Sequence, residues 1–209
     1  MKSIFLSLTM LFLGAVNGQT AFEEGMIKGL AQYKEAATVE EMQAAATFFE
    51  ALGDTLKDKW LPYYYAAHAT ILATKMITKP NKDKAAEVIN ALIAKADSME
   101  ADNSELYCLK QIVTTMQITV NPMIRWQSYG ETAAEAIANA KTTDPSNPRP
   151  YLLEGVYLMS LPESIGGGKE LAKKSLQKAV WLFDSFEPLS PFHPNWGKEQ
   201  AVKALAACQ

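Results

Sequence analysis

The chain has 209 residues and a formal net charge of −3 without a strongly basic segment, so nucleic acids and anionic membrane surfaces are poor partners. Hydrophobic residues make up 48% of it, which is enough to bury the core of a single domain. Its two histidines and two cysteines do not stand at metal-ligand spacing, so we expect no metal site.

Residues 1–18 have the pattern of a secretory signal peptide. The positively charged Lys2 precedes an apolar segment, residues 4–16. Val16 and Gly18 occupy the positions that a signal peptidase recognises. The segment is too short to cross a bilayer core of about 30 Å as a helix. We therefore expect a folded domain over residues 19–209, a periplasmic or secreted location, and no membrane span.

Helical periodicity runs through the rest of the chain, and strand-like alternation is absent. Pairs and clusters of proline, asparagine, aspartate and glycine interrupt it at intervals that separate helices. The pattern predicts nine helices, at residues 20–36, 39–53, 61–78, 83–98, 103–119, 124–142, 149–160, 168–185 and 195–207.

Alternate helices repeat each other with a period near 44 residues. Odd-numbered helices carry an aromatic residue at equivalent positions. Even-numbered helices carry three small or apolar residues, the second four positions after the first and the third three positions after the second. A single helical hairpin cannot bury its apolar face alone, so such units stack. The aromatic residues are Phe22, Tyr63, Tyr107, Tyr151 and Trp196, and the even-helix sets are Ala44-Phe48-Ala51, Ile89-Ile93-Ala96, Ala133-Ile137-Ala140 and Ala172-Leu176-Ala179.

The segment "AAEAIANAKTTDPSNPRPYLLEGVYL", residues 133–158, resembles a tetratricopeptide repeat (TPR) junction, although the period is about ten residues longer than usual. "DKWLPYYYAAHA" (58–69) and "PFHPNWGKEQA" (191–201) resemble segments of a family of exported, uncharacterised bacterial TPR-like proteins. The resemblance implies an all-α, right-handed solenoid of TPR-like helical hairpins with a C-terminal capping helix. It implies an exported protein and no particular activity.

Three glycines, Gly166–Gly168, precede Lys169 and invite comparison with a phosphate loop. The comparison fails because Glu163 stands where that loop needs its first glycine, Glu170 stands where it needs Ser or Thr, and a helix precedes it. We interpret the glycines as a hinge between helices. The loop also resembles the "LPE…GG" turn of TPR proteins associated with TRAP-type solute transporters, which keeps a ligand-binding alternative open.

The sequence contains no arrangement of residues that is typical of a catalytic site. There is no Gly-x-Ser-x-Gly motif, and neither histidine has a nearby nucleophile and orienting acid, so we predict no catalytic residue, no cofactor and no enzyme activity. His68 is more typical of a hydrogen-bonded core or groove histidine than of a ligand or base. Cys108 and Cys208 fall two repeat units apart, which favours separate thiols over a disulfide.

The packing position of Tyr63 predicts that a line of largely apolar residues, here called the stripe, runs along one face of the repeats. Neighbouring residues on a helix are about 100° apart, so when Tyr63 packs between helices, Tyr64 turns toward the face where a TPR protein usually holds a peptide. The same offset in later repeats completes the stripe, which could instead be core beneath other elements, because periodicity does not separate the two. The predicted ligand- or partner-binding residues are Tyr64, His68, Ile112, Leu152, Val156 and Met159.

The function that these patterns favour is a non-enzymatic protein- or peptide-binding scaffold or adaptor of the bacterial cell envelope. The alternative is a helical protein that binds a small apolar molecule and is linked to solute uptake. A pocket closed on all sides would favour the small molecule, and an open trough would favour a protein or peptide partner.

Overall fold

The computed structural model describes the backbone of residues 4–209 and the side chains of residues 18–209. The predicted signal peptide therefore lies partly outside the described residues. All regular structure in the described part is helical, and none of its helices is long and apolar enough to cross a membrane. The helices are α1 (Ile4–Glu35), α2 (Val39–Leu56), α3 (Trp60–Met76), α4 (Lys82–Asp97), α5 (Ser104–Ile118), α6 (Pro122–Thr143), α7 (Arg149–Ser160), α8 (Lys169–Ser185) and α9 (Lys198–Ala206), with a short 3-10 helix at Glu163–Ile165.

The prediction of an all-α fold is confirmed, and the helix ends follow the local sequence. At the start of α2, the backbone N–H of Glu41 donates to the Thr38 hydroxyl (3.2 Å) while the Glu41 carboxylate accepts from the N–H of Thr38 (3.0 Å). Between α7 and α8, Gly166 and Gly168 have φ of 84° and 101°, which is the left-handed region that favours glycine. Gly166–Gly168 therefore lie in the turn between α7 and α8, where the sequence predicted a connection between helices.

Two helix starts differ from the prediction by about three residues or more. Helix α1 begins at Ile4, so it continues from the apolar segment of the predicted signal peptide into the domain without a break. Helix α9 begins at Lys198, three residues later than predicted, which leaves Trp196 in the connection before it. The second difference matters for the site, because Trp196 is then free to contact other helices.

Consecutive helices pack against each other along the whole chain, and α3, α5, α7 and α9 also contact one another in that order. The predicted even-helix sets are buried in α4, α6 and α8. In α2 the register was wrong by one residue, because Ala45 and Phe49 are fully buried while Ala44 is exposed and Phe48 only partly buried. Cys108 and Cys208 are both buried free thiols.

Gly155 shows how closely paired helices approach. A Cβ atom at this position would lie 2.5 Å from Cγ of Leu176 and 3.2 Å from the carbonyl oxygen of Ala172, both on α8. Only a residue without a side chain allows α7 and α8 to pack at this distance.

We expect Gly155→Ala to destabilise the protein by about 1–3 kcal/mol, because the added methyl group forces α7 and α8 apart. Gly130→Ala is the matched control, since its methyl group would meet only the end of the Tyr157 side chain, with Oη at 3.0 Å, and alanine favours the helix. Urea unfolding of both variants gives the comparison. Equal stability of the two would contradict the close packing of α7 and α8.

Candidate functional site

The connection between α8 and α9, residues 186–197, covers one end of the predicted stripe, and we call it the cover segment. Its Trp196 donates a hydrogen bond from Nε1 to the hydroxyl of Tyr64 at 2.8 Å. The Trp196 indole also stacks on His68, with ring centroids 5.1 Å apart and planes at 16°. Tyr65 donates to the carbonyl oxygen of Phe192 at 3.0 Å, which holds the cover segment against α3 a second time.

The structure divides the stripe into a covered end and a half-exposed end. Tyr64 and Leu152 are fully buried and His68 is 6% exposed, whereas Ile112, Val156 and Met159 are only partly buried. Leu152, Val156 and Met159 belong to one apolar cluster with Trp196, and Ile112 packs, as Trp196 does, against the cluster of Cys108, Ala140 and Leu153. Tyr64 and His68 contact Trp196 directly. Whether the six residues bind a ligand stays a prediction.

Arg149 anchors the cover segment from the first turn of α7. Its side chain is fully buried, and its Nη2 donates a short hydrogen bond to the carbonyl oxygen of Pro194. Its guanidinium lies 4.7 Å from the ring centroid of Phe186 and 5.3 Å from that of Trp196. Cation–π contacts of this kind become stronger when water is excluded.

The charge of Arg149 is paired with Glu105 of α5, whose carboxylate Oε1 accepts from Nη1 at 2.9 Å and from the amide of Asn147 at 2.7 Å. Burial raises the pKa of Glu105, while the positive charge of Arg149 opposes that rise. In the described part of the chain, Oε2 of Glu105 and Nε of Arg149 are the fully buried side-chain atoms without a hydrogen bond.

The prediction from sequence missed Arg149. The available signal was that it is one of only two arginines in the chain and stands between Pro148 and Pro150. An arginine at the start of an apolar helix in such a rigid segment needs a partner, but nothing in the sequence identifies Glu105 or the carbonyl of Pro194 as that partner.

His68 sits where the covered and half-exposed ends meet. Its Nδ1 and the hydroxyl oxygen of Tyr33 are joined by a hydrogen bond of 2.7 Å. Burial, followed by the positive charges of Lys75 and Arg149, lowers the pKa of His68 to about 3. The imidazole is therefore neutral at physiological pH.

A depression lies between α4, α5 and α6, with a volume of about 490 Å³. Its lining includes the ion pair of Lys110 with Asp97 (3.1 Å) and the side chains of Gln117 and Tyr129, but the surface that it exposes is mostly apolar. Its volume is within the range of small-molecule pockets, about 300–1,000 Å³. Within residues 18–209, no three or more of His, Cys, Asp and Glu converge as a metal site.

Comparison with solved structures finds a match in the HusA haemophore from Porphyromonas gingivalis. The match has a TM-score of 0.80 and 28% sequence identity, and it covers 90% of this chain and 92% of the haemophore chain. No protein-family model matches the chain. No curated protein sequence matches it either.

The similarity to a haemophore corrects the functional prediction. A protein- or peptide-binding scaffold was favoured because TPR proteins usually hold peptides at the face where the stripe lies. The matched protein is named as a haemophore, which contradicts a protein-binding scaffold and supports the alternative, a small ligand linked to uptake. An apolar stripe suits both occupants, which is why the pattern alone led to the wrong one.

We expect Arg149→Met to destabilise the protein by about 3–5 kcal/mol, because it leaves the Glu105 carboxylate buried without its partner. Arg125→Met is the control, since Arg125 pairs with Asp83 through two hydrogen bonds at the surface and its loss should change stability far less. The measurement is the urea unfolding midpoint. Similar midpoints for the two variants would show that Arg149 does not anchor the fold.

Stability should also fall when the pH decreases from about 6.5. The pKa of His68 in the folded protein, about 3, is below the unfolded value of 6.5, so the unfolded chain takes up the proton first. The free energy of unfolding then decreases by up to about 1.4 kcal/mol for each pH unit. His68→Gln should flatten the decline between pH 6.5 and 5, and His193→Gln should flatten it less, because His193 is less buried. An unchanged pH profile in His68→Gln would contradict the burial of this imidazole.

Proposed function

We propose that this protein binds haem, or a closely related tetrapyrrole, at the half-exposed end of the stripe and serves as a carrier in its uptake. The observation that carries the proposal is the similarity to a haemophore over nine-tenths of both chains. At 28% identity the likeness includes sequence as well as fold. The alternative prediction of a small apolar ligand thus becomes the main one.

The lining of the site supports a flat, largely apolar ligand. Val156, Met159 and Ile112 offer partly buried aliphatic and thioether groups, and Trp196 adds aromatic surface to the same clusters. Small-molecule sites combine mostly hydrophobic walls with a few polar groups that fix orientation. The depression between α4, α5 and α6 is the competing location, because its surface is mostly apolar although an ion pair and amide groups line it.

We further propose that the protein is exported and has no enzyme activity. The signal-peptide pattern of residues 1–18 supports export, and the lack of a nucleophile–base arrangement in the sequence supports a binding role. We also propose that the hairpins form a right-handed solenoid of TPR-like type capped by α9. The contacts of α3 with α5, α5 with α7 and α7 with α9 support this arrangement.

The test is a titration with ferric haem, followed by absorbance, of wild type, Val156→Asp and Val88→Asp. Val156→Asp places a carboxylate among the apolar walls and should weaken binding about tenfold or more, because a charge does not tolerate desolvation by an apolar ligand. Val88 is 49% exposed on α4, away from the stripe, so Val88→Asp should bind like wild type.

Circular dichroism confirms beforehand that both variants are folded. Saturable binding by wild type with selective loss in Val156→Asp supports the proposal. Absence of saturable binding by wild type refutes it, and equal binding by all three proteins refutes the location. If Tyr129→Ala, in the depression beside α6, weakens binding instead, the haem site lies there.

A further inference from the structure

We infer that one end of the helical stack is a docking surface for an anionic lipid membrane. The surface, here called the basic rim, consists of residues 75–84 and 119–126, which are the connections from α3 to α4 and from α5 to α6 with the helix ends beside them. The docking is peripheral and needs no membrane-spanning helix. It goes beyond the proposed function and does not depend on haem.

Side-chain hydrogen bonds join the two connections into one surface. Arg125, in the first turn of α6, donates to both carboxylate oxygens of Asp83, at 2.6 and 2.9 Å, and to the backbone carbonyl oxygen of Gln117 at 3.1 Å. The amine of Lys82 donates to the hydroxyl of Thr119 at 2.6 Å. The start of α4 and the turn before α6 are therefore held side by side.

Large apolar side chains are exposed to water on the basic rim. In the first turn of α6, Met123 is 89% exposed and Ile124 is 76% exposed, and Trp126 follows them at 42%. A cluster of exposed apolar groups among polar residues is typical of a surface that binds a partner or a membrane. Six of the thirteen large apolar residues exposed in the described part of the chain lie on the basic rim: Met76, Ile77, Val120, Met123, Ile124 and Trp126.

Positive charge accompanies these apolar groups. The chain as a whole has a net charge of −3, but the basic rim contains five cations and one carboxylate, that of Asp83. Because Asp83 is already paired with Arg125, the charge of the lysines is not balanced by another carboxylate of the basic rim. Net charge alone disfavoured an anionic membrane, since it does not describe such a local excess. The cations are Lys75, Lys79, Lys82, Lys84 and Arg125.

This combination favours a lipid surface as the occupant. At a bilayer interface, tryptophan rings lie at the level of the headgroups, and lysines near an anionic surface are attracted to it. Side chains as exposed as Met123 enter a fluid interface directly, whereas a folded partner would have to supply a matching recess. A second copy of the chain is disfavoured, because a symmetric contact would place the same cations opposite each other.

The experiment measures flotation of the full chain, without haem, with vesicles of phosphatidylcholine mixed with phosphatidylglycerol and with vesicles of phosphatidylcholine alone. We expect binding to the anionic vesicles that decreases at 1 M salt, where charges are screened beyond about 3 Å. Ile124→Asp should weaken it about tenfold or more, because it replaces an inserting apolar group by a negative charge. Ile27→Asp, at an isoleucine that is 62% exposed on α1, is the control and should bind like wild type.

A second pair of variants tests the charge. Lys79→Ala combined with Lys84→Ala should weaken binding to the anionic vesicles about tenfold, because two cations near the surface are lost. Lys174→Ala combined with Lys203→Ala removes two exposed amines from α8 and α9, so the net charge changes equally while the basic rim stays intact. This control should bind like wild type.

Tryptophan fluorescence locates the contact on the molecule. Lipids with brominated acyl chains quench an indole that reaches the bilayer. Quenching should decrease strongly in Trp126→Phe and persist in Trp181→Phe, which removes an indole that is more exposed but lies on α8. The apolar segment at residues 4–16 is the same in all variants, so it does not account for a difference between them.

Circular dichroism confirms that each variant is folded, and Met123→Asp replaces Ile124→Asp if the latter is not. Absence of binding to the anionic vesicles refutes the docking surface and leaves the haem proposal standing, and a failed haem titration leaves the docking surface standing. Equal binding by wild type and Ile124→Asp refutes the location. Equal binding to both kinds of vesicle refutes the role of the cations. A dimer in light scattering that Ile124→Asp abolishes, without vesicle binding, would assign the surface to a second copy instead.

Discussion

One buried guanidinium determines where the site can be. Removing a charge from water is costly unless it is paired and hydrogen-bonded, and Arg149 meets this requirement with Glu105 on α5 and the carbonyl oxygen of Pro194. These partners come from different parts of the chain. The same interaction that neutralises Arg149 therefore also fixes the cover segment to the helices.

The covered and half-exposed ends of the stripe follow from that anchor. Once Pro194 is held, Trp196 lies over His68 and Tyr64, and these residues become part of the core. Beyond Trp196 the helices continue without a cover, so Val156 and Met159 remain partly accessible. A neutral histidine then stands at the boundary between a rigid, aromatic interior and an apolar surface open to a ligand.

Much of the fold was predictable because it depends on local patterns. Helical periodicity and turn residues predicted nine helices, and apart from the start of α1 their ends lie within about three residues of those in the described part of the chain. The register of α2 was wrong because Ala44 has alanine neighbours and Phe48 is followed by Phe49, so two registers fit equally well.

The site was predictable only in part, because its decisive contacts join distant residues. The repeat offset predicted one face for Tyr64 and Leu152, but the hydrogen bond between Trp196 and Tyr64 joins residues 132 positions apart, which no repeat offset predicts. Tyr33 and Arg149 belong to no repeated pattern. The apolar pattern of the stripe did not distinguish a peptide from a small ligand, because apolar side chains bind both.

The most direct measurement is methyl NMR of the protein saturated with ferric haem, compared with the zinc porphyrin. Unpaired electrons of the iron broaden nearby resonances, and zinc provides the diamagnetic reference. We predict selective broadening of the methyl groups of Ile112, Val156 and Met159, with Val88 unaffected. Broadening centred on Ile93 and Thr132, beside the depression between α4, α5 and α6, would contradict a haem site at the stripe.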